Sequence, residues 1–126
     1  MSTLVIKMGG HALDADAATS SQLADLASDI KELTRSGTRV VVVHGGGPRI
    51  SDMVSTLGAE AHFVEGLRVT DETTLRAVVM ALSEINAELV SSLNAAGTPS
   101  VGVSGVSAGL VTARCARPEL GAVGTD

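Results

Sequence analysis

An α/β fold with a mainly parallel sheet, arranged as a three-layer α-β-α sandwich, is what this sequence predicts. Three observations carry the prediction. Strand-like and helix-like runs alternate along the 126 residues, the order that yields parallel strands with right-handed helical crossovers. Residues 40–43 are all valine, the pattern of a strand buried on both faces. Two glycine clusters, Gly9-Gly10 and Gly45-Gly46-Gly47, each follow a strand. Parallel sheets collect ligands at those carboxyl ends.

Taken in order, residues 4–8 form a short β-type run that ends at Gly9-Gly10. Over residues 18–36 the apolar positions Leu23, Leu26, Ala27, Ile30 and Leu33 recur at helical spacing, with Gly37 as the stop. Residues 39–44 give the valine strand, and Pro48 is a good first residue for the next helix. That helix carries Ile50, Met53, Val54 and Leu57 on one face and stops at Gly58. A short strand is expected over 61–64, then a loop bearing Arg68, then the longest helix over 71–95, closed by Gly97. Residues 100–104 read as a further strand and 110–113 as a hairpin arm.

Composition narrows the function. With 14 acidic against 9 basic residues the net charge is −5, so a polyanion is repelled. Phe63 is the only aromatic residue, which removes the stacking platforms that single-stranded nucleic acid uses. Nucleic-acid binding is therefore not expected. Neither is a membrane span or a signal peptide, since no apolar run is long enough and no charged leader precedes one. Cys115, the single cysteine, fits a reducing cytoplasm and has no His or Cys neighbour at metal-ligand spacing. No metal site is expected.

The chemistry concentrates in three stretches. Gly45-Gly46-Gly47-Pro48 lets backbone N–H groups approach an anion at the start of a helix. It is neither a Walker A loop, which needs a following Gly-Lys-Ser/Thr, nor the dinucleotide fingerprint, because Ile50 stands at the third glycine. Lys7, set in an apolar run before Gly9-Gly10, is costly to place there without an anionic partner. Arg68, in Gly66-Leu67-Arg68-Val69-Thr70-Asp71, offers a planar fork suited to a carboxylate. The alternative for Arg68 is a surface salt bridge to Glu65 or Asp71. For His44 the alternatives are a general base and a structural residue at the strand end.

Lys7-Met8-Gly9-Gly10, Val43-His44-Gly45-Gly46-Gly47-Pro48 and Gly66-Leu67-Arg68-Val69-Thr70-Asp71 together resemble the acetylglutamate kinases, a branch of the amino-acid kinase family. The likeness continues through Asn86-Ala87-Glu88-Leu89-Val90 and Leu110-Val111-Thr112-Ala113-Arg114. Ser83, Val106-Ser107 and His11 depart from the family pattern. The resemblance implies transfer of the ATP γ-phosphoryl group, with Mg2+, to the side-chain carboxylate of N-acetyl-L-glutamate in arginine biosynthesis. By that likeness Lys7 stabilises the transferring group, Gly46 and Gly47 hold the reacting end of the substrate, and Arg68 grips its α-carboxylate. Gly9, Gly10 and Gly45 would lie against the nucleotide phosphates.

The resemblance also implies that residues 1–126 are the N-terminal substrate lobe, with the C-terminal nucleotide lobe absent and the isolated fragment inactive. It implies a homodimer or larger assembly, for which Ala77, Ala81 and Ala87, with Met80, give the long helix a face of small and flexible residues. An aminoadipate-type or other amino-acid kinase is the nearest alternative, and a non-catalytic acyl-amino-acid-binding or assembly module is the alternative of a different class.

Overall fold

The computed structural model describes residues 2–9 and 17–125. Two compact units divide the chain, Met1–Gly46 with Glu84–Gly102 and Gly47–Ser83 with Val103–Asp126. Gly10 and His11 lie outside the described residues.

In the first unit, β1 (Thr3–Met8) and β2 (Arg39–His44) pair in parallel, with Thr3 opposite Arg39 and Met8 opposite His44. A parallel pair needs a long crossover, and α1 (Ala17–Arg35) supplies it. Alternation decides which side chains meet the helices. Ile6, Met8, Val40 and Val42 pack against Ala27 and Ile30 of α1 and against Leu89 and Leu93 of α3 (Glu72–Ala95). The opposite face does not match the expectation of a strand buried on both sides. Val5, Val41 and Val43 are 61%, 47% and 45% exposed. The reason is that α1 and this half of α3 cover the same face of the pair. β-branched residues favour a strand whether or not both faces are covered.

The second unit is built on α2 (Gly47–Thr56) and the first half of α3. Ile50 and Val54 of α2 meet Ala77 and Ala81 of α3, and Val54, Ala77 and Ala81 are all 0% exposed. Small residues let these two helices approach closely, so Ala77 and Ala81 are already occupied. They are not the face for a partner helix that the sequence pattern indicated, whereas Met80 and Ala87 remain exposed.

A hairpin follows α2. β3 (Phe63–Val64) pairs antiparallel with β4 (Leu67–Arg68), bringing Phe63 opposite Arg68. Its two turn residues, Glu65 and Gly66, both have positive φ, 51° and 79°, the signature of a type I′ turn. Arg68 therefore belongs to a strand and not to the loop expected from sequence. Beyond α3, β5 (Arg114–Cys115) pairs with β6 (Gly124–Thr125). The expected arm at 110–113 does not form, because the Val111 amide donates instead to Gly105 O at 2.9 Å. Residues 100–104 are not a strand either. The Asn94 side chain accepts from the Ser100 amide at 2.8 Å and donates to its carbonyl at 3.3 Å, a local substitute for ladder bonds.

The three long helices end alike. At Gly37, Gly58 and Gly97 the glycine amide bonds the carbonyl three residues back and the next amide bonds the one five back, the Schellman closure that needs a left-handed residue. The second unit is fastened differently. Thr70 N donates to Leu120 O and Ala122 N to Thr70 O, both at 2.8 Å, and Leu120 is 0% exposed. At Gly121, φ is 70° and any Cβ would overlap Thr70 O, so only glycine fits this crossing.

Candidate functional site

The first unit carries Lys7, Gly9 and Gly45. The register sets Lys7 opposite Val43, on the exposed face of the parallel pair, and both residues are exposed. Among the described residues Lys7 has no ion pair. The carboxyl ends of the two strands are tied together, the Gly45 amide donating to Met8 O at 3.2 Å. A Cβ built on Gly9 or Gly45 would meet nothing within 4 Å, and neither glycine has positive φ. The fold therefore gives no reason for glycine at either position. What glycine leaves there is open space in front of the backbone, where an anion can approach. Gly10, the remaining member of this group, falls outside the described residues.

His44 ends β2 on the covered face. Its Nδ1 lies 3.1 Å from Gly45 O, and its Nε2 lies 3.1 Å from Nδ2 of Asn86 on α3. Sequence reasoning had not singled out Asn86 for any role. The signal was available only in space, since 42 residues separate the pair. Next to it a groove of 370 Å³ is lined by Val40, Val42, Leu89, Val90 and Ser100.

The second unit carries Gly47 and Arg68. Gly47 opens α2, is exposed, and resembles Gly9 and Gly45 in having room for a Cβ. Arg68 reaches α2 from the hairpin. Its Nη2 donates to Gly47 O at 3.2 Å and to Ser51 Oγ at 3.1 Å, and its Cζ sits 4.6 Å from the centre of the Phe63 ring. Nη1 is shut off from solvent and has no partner among the described residues. Burial lowers the pKa of this guanidinium from its ordinary value, yet arginine stays charged at neutral pH. A shielded donor left unpaired costs about 1–3 kcal/mol, a cost the fold carries at this position.

The salt-bridge alternatives for Arg68 are both spoken for. Glu65 pairs with Arg117 at 3.1 Å. Asp71 caps α3, accepting from the Thr74 amide at 2.8 Å. That hydrogen bond is the main reason the Asp71 carboxyl is held below its ordinary pKa.

No group of three His, Cys, Asp or Glu among the described residues could hold a metal ion. No helix among them is long and apolar enough to cross a membrane. Cys115 is a free, exposed thiol.

Comparison with known proteins identifies the family. The profile of the Amino acid kinase family matches residues 2–123. The chain is 46% identical over 122 residues to an acetylglutamate kinase of Jannaschia sp. (strain CCS1), covering 96% of this chain and 41% of that protein. It is 48% identical over 117 residues to an acetylglutamate kinase of Rhizorhabdus wittichii, covering 91% of this chain and 37% of that one. Among solved structures it resembles N-acetylglutamate synthase from Neisseria gonorrhoeae complexed with coenzyme A and N-acetyl-glutamate. That match has 30% identity and a TM-score of 0.61, over 79% of this chain and 22% of the synthase chain. The chain thus spans about two-fifths of the length of the curated relatives it matches.

Proposed function

This chain belongs to the amino acid kinase family, and we propose that it is the substrate-binding lobe of an acetylglutamate kinase, covering residues 1–126. The reaction it serves moves the ATP γ-phosphoryl group to the side-chain carboxylate of N-acetyl-L-glutamate. One P–O bond forms at a carboxylate oxygen, the bond to the ADP oxygen breaks, and ADP leaves with that electron pair. The single observation that carries this reading is that Gly9, Gly45 and Gly47 are glycines the fold does not require, with empty space where a Cβ would stand.

The nucleophile is a carboxylate already ionised at neutral pH, so no general base is required. Positioning and charge neutralisation remain, as in other phosphoryl transfers. Lys7 supplies a cation for the transferring group. Gly46 and Gly47 offer backbone N–H groups to the reacting end of the substrate, and Gly9, Gly10 and Gly45 offer theirs to the nucleotide phosphates. Arg68 supplies the cation for the α-carboxylate. Mg2+ is expected as the companion of ATP. The described residues form no carboxylate cluster to fit it, so no step is assigned to it here.

Amide-resolved NMR titration of the chain tests the proposal. N-acetyl-L-glutamate is expected to move the signals of Gly47 and Arg68, and an ATP analogue those of Lys7, Gly9 and Gly45. The N-acetyl derivative of aminoadipate, one methylene longer, serves as the competing acceptor. No response to N-acetyl-L-glutamate at millimolar concentration, or a stronger response to the longer acid, removes this assignment.

A further inference from the structure

Both ring nitrogens of His44 are engaged, and the partners dictate where its hydrogen sits. Gly45 O, 3.1 Å from Nδ1, can only accept, so Nδ1 carries the hydrogen. The amide Nδ2 of Asn86, 3.1 Å from Nε2, can only donate, so Nε2 is bare. Together they select the neutral Nδ1–H tautomer.

That conclusion depends on which way the Asn86 amide faces, because its oxygen and nitrogen can exchange places by a flip. The His44 ring itself settles the orientation. With Nδ1–H committed to Gly45 O, a neutral ring has a bare Nε2, and of the two amide atoms only the NH2 can donate to it. Nδ2 therefore faces the imidazole, and Oδ1 lies on the Gly102 side, where a Cβ at 102 would overlap it.

We propose that Asn86 is a positioning residue that locks His44 in the Nδ1–H form, and that His44 in turn fixes the path of the glycine turn. Gly45 is held at both of its backbone polar groups. Its N–H donates to Met8 O at 3.2 Å and its carbonyl accepts from His44. Glycine is the residue with the most freedom to lose, and these two bonds remove that freedom before any ligand arrives. The lone pair of Nε2 is consumed by Asn86, which withdraws His44 from acting as a base. The functional part of this inference rests on the glycine turn being the anion-binding loop proposed above.

Long-range 1H–15N spectra of the 126-residue chain test it directly, with His44→Gln assigning the ring signals. The expected wild-type result is one protonated Nδ1 and one bare Nε2 at neutral pH. Asn86→Leu cannot donate, so it should shift the ring toward the Nε2–H form and move the Gly45 amide signal. Asn86→Asp presents only acceptors and should place a hydrogen on Nε2, a second reading should the leucine variant fail to fold. Ligand affinity in these variants is expected to fall about two- to tenfold, the worth of one neutral hydrogen bond. A wild-type ring protonated on Nε2 overturns the proposal, and so does an Asn86→Leu spectrum unchanged at His44 and Gly45. Failure of the wild-type chain to bind either ligand would sink the functional reading alone and leave the tautomer result standing.

Discussion

Replacing Arg68 with lysine keeps the charge and removes the fork. In the fold, the substitution forfeits the Nη2 bonds to Gly47 O at 3.2 Å and Ser51 Oγ at 3.1 Å, and the stacking on Phe63 at 4.6 Å. Hydrogen bonds from a charged group contribute about 1.5–3 kcal/mol each, and the ring contact adds about 0.5–2 kcal/mol. Against this loss, lysine relieves the shielded, unpartnered Nη1, worth about 1–3 kcal/mol. A lysine ammonium can also restore one of the two bonds. These changes largely offset, leaving a net stability loss of about 1–2 kcal/mol, seen as a melting point lower by a few degrees. Binding has no such offset. A carboxylate that used the fork loses one charge-assisted bond, about 1.5–3 kcal/mol, or roughly ten- to a hundredfold in affinity. Calorimetric or NMR titration with N-acetyl-L-glutamate, beside thermal melting of the same samples, separates the two effects. If affinity stays within a factor of about two while the melting point collapses, Arg68 is only a tether between the hairpin and α2.

The other substitutions probe the glycines, the core and the helix cap. Gly45→Ala should leave melting unchanged within about 0.5 kcal/mol, because its Cβ meets nothing, while weakening binding of an ATP analogue. Gly121→Ala should destabilise by more than about 1 kcal/mol, since its Cβ overlaps Thr70 O at a φ of 70°; equal melting of these two alanine variants would contradict the contrast drawn between the glycines. Leu120→Ala empties a site with 0% exposure and is expected to cost about 2–5 kcal/mol in denaturant titration. The Asp71 pKa is lowered in the fold, chiefly by the Thr74 amide, so its contribution is present above the unfolded value and lost as pH falls through the folded one. Acid titration of stability should therefore show a drop in the wild type that is smaller in Asp71→Asn, and superimposable curves would refute the cap.

How much of this could be seen in the residues alone depended on how local the cause was. The helices were legible because their apolar spacing and their closing glycines lie within one stretch of chain. So were the two parallel strands. The hairpin arm bearing Arg68 was missed because Glu65 occupies a left-handed turn position usually filled by asparagine, aspartate or glycine. The strand expected at 100–104 gave way to a side chain, Asn94, that satisfies Ser100 from six residues away. Burial of the valine strand on both faces was read from its composition, but composition cannot say whether a second layer is present. Lys7, the glycine turns and Arg68 could be named from their types and order. The grip of Phe63 and Ser51 on Arg68, and of Asn86 on His44, could not, because those partners meet only after folding.

The open face of the parallel pair also has a colloidal consequence. Val5, Val41 and Val43 stand exposed in adjacent strands. Apolar side chains exposed side by side on a sheet are sticky in water. The net charge of −5 opposes that stickiness, and added salt screens the repulsion, the Debye length shrinking from about 30 Å at 0.01 M to about 8 Å at 0.15 M. Shelf life of the isolated chain should accordingly shorten with ionic strength and as pH approaches its isoelectric point near 5.0. A single charged substitution at Val41 or Val43 is the simplest way to lengthen it.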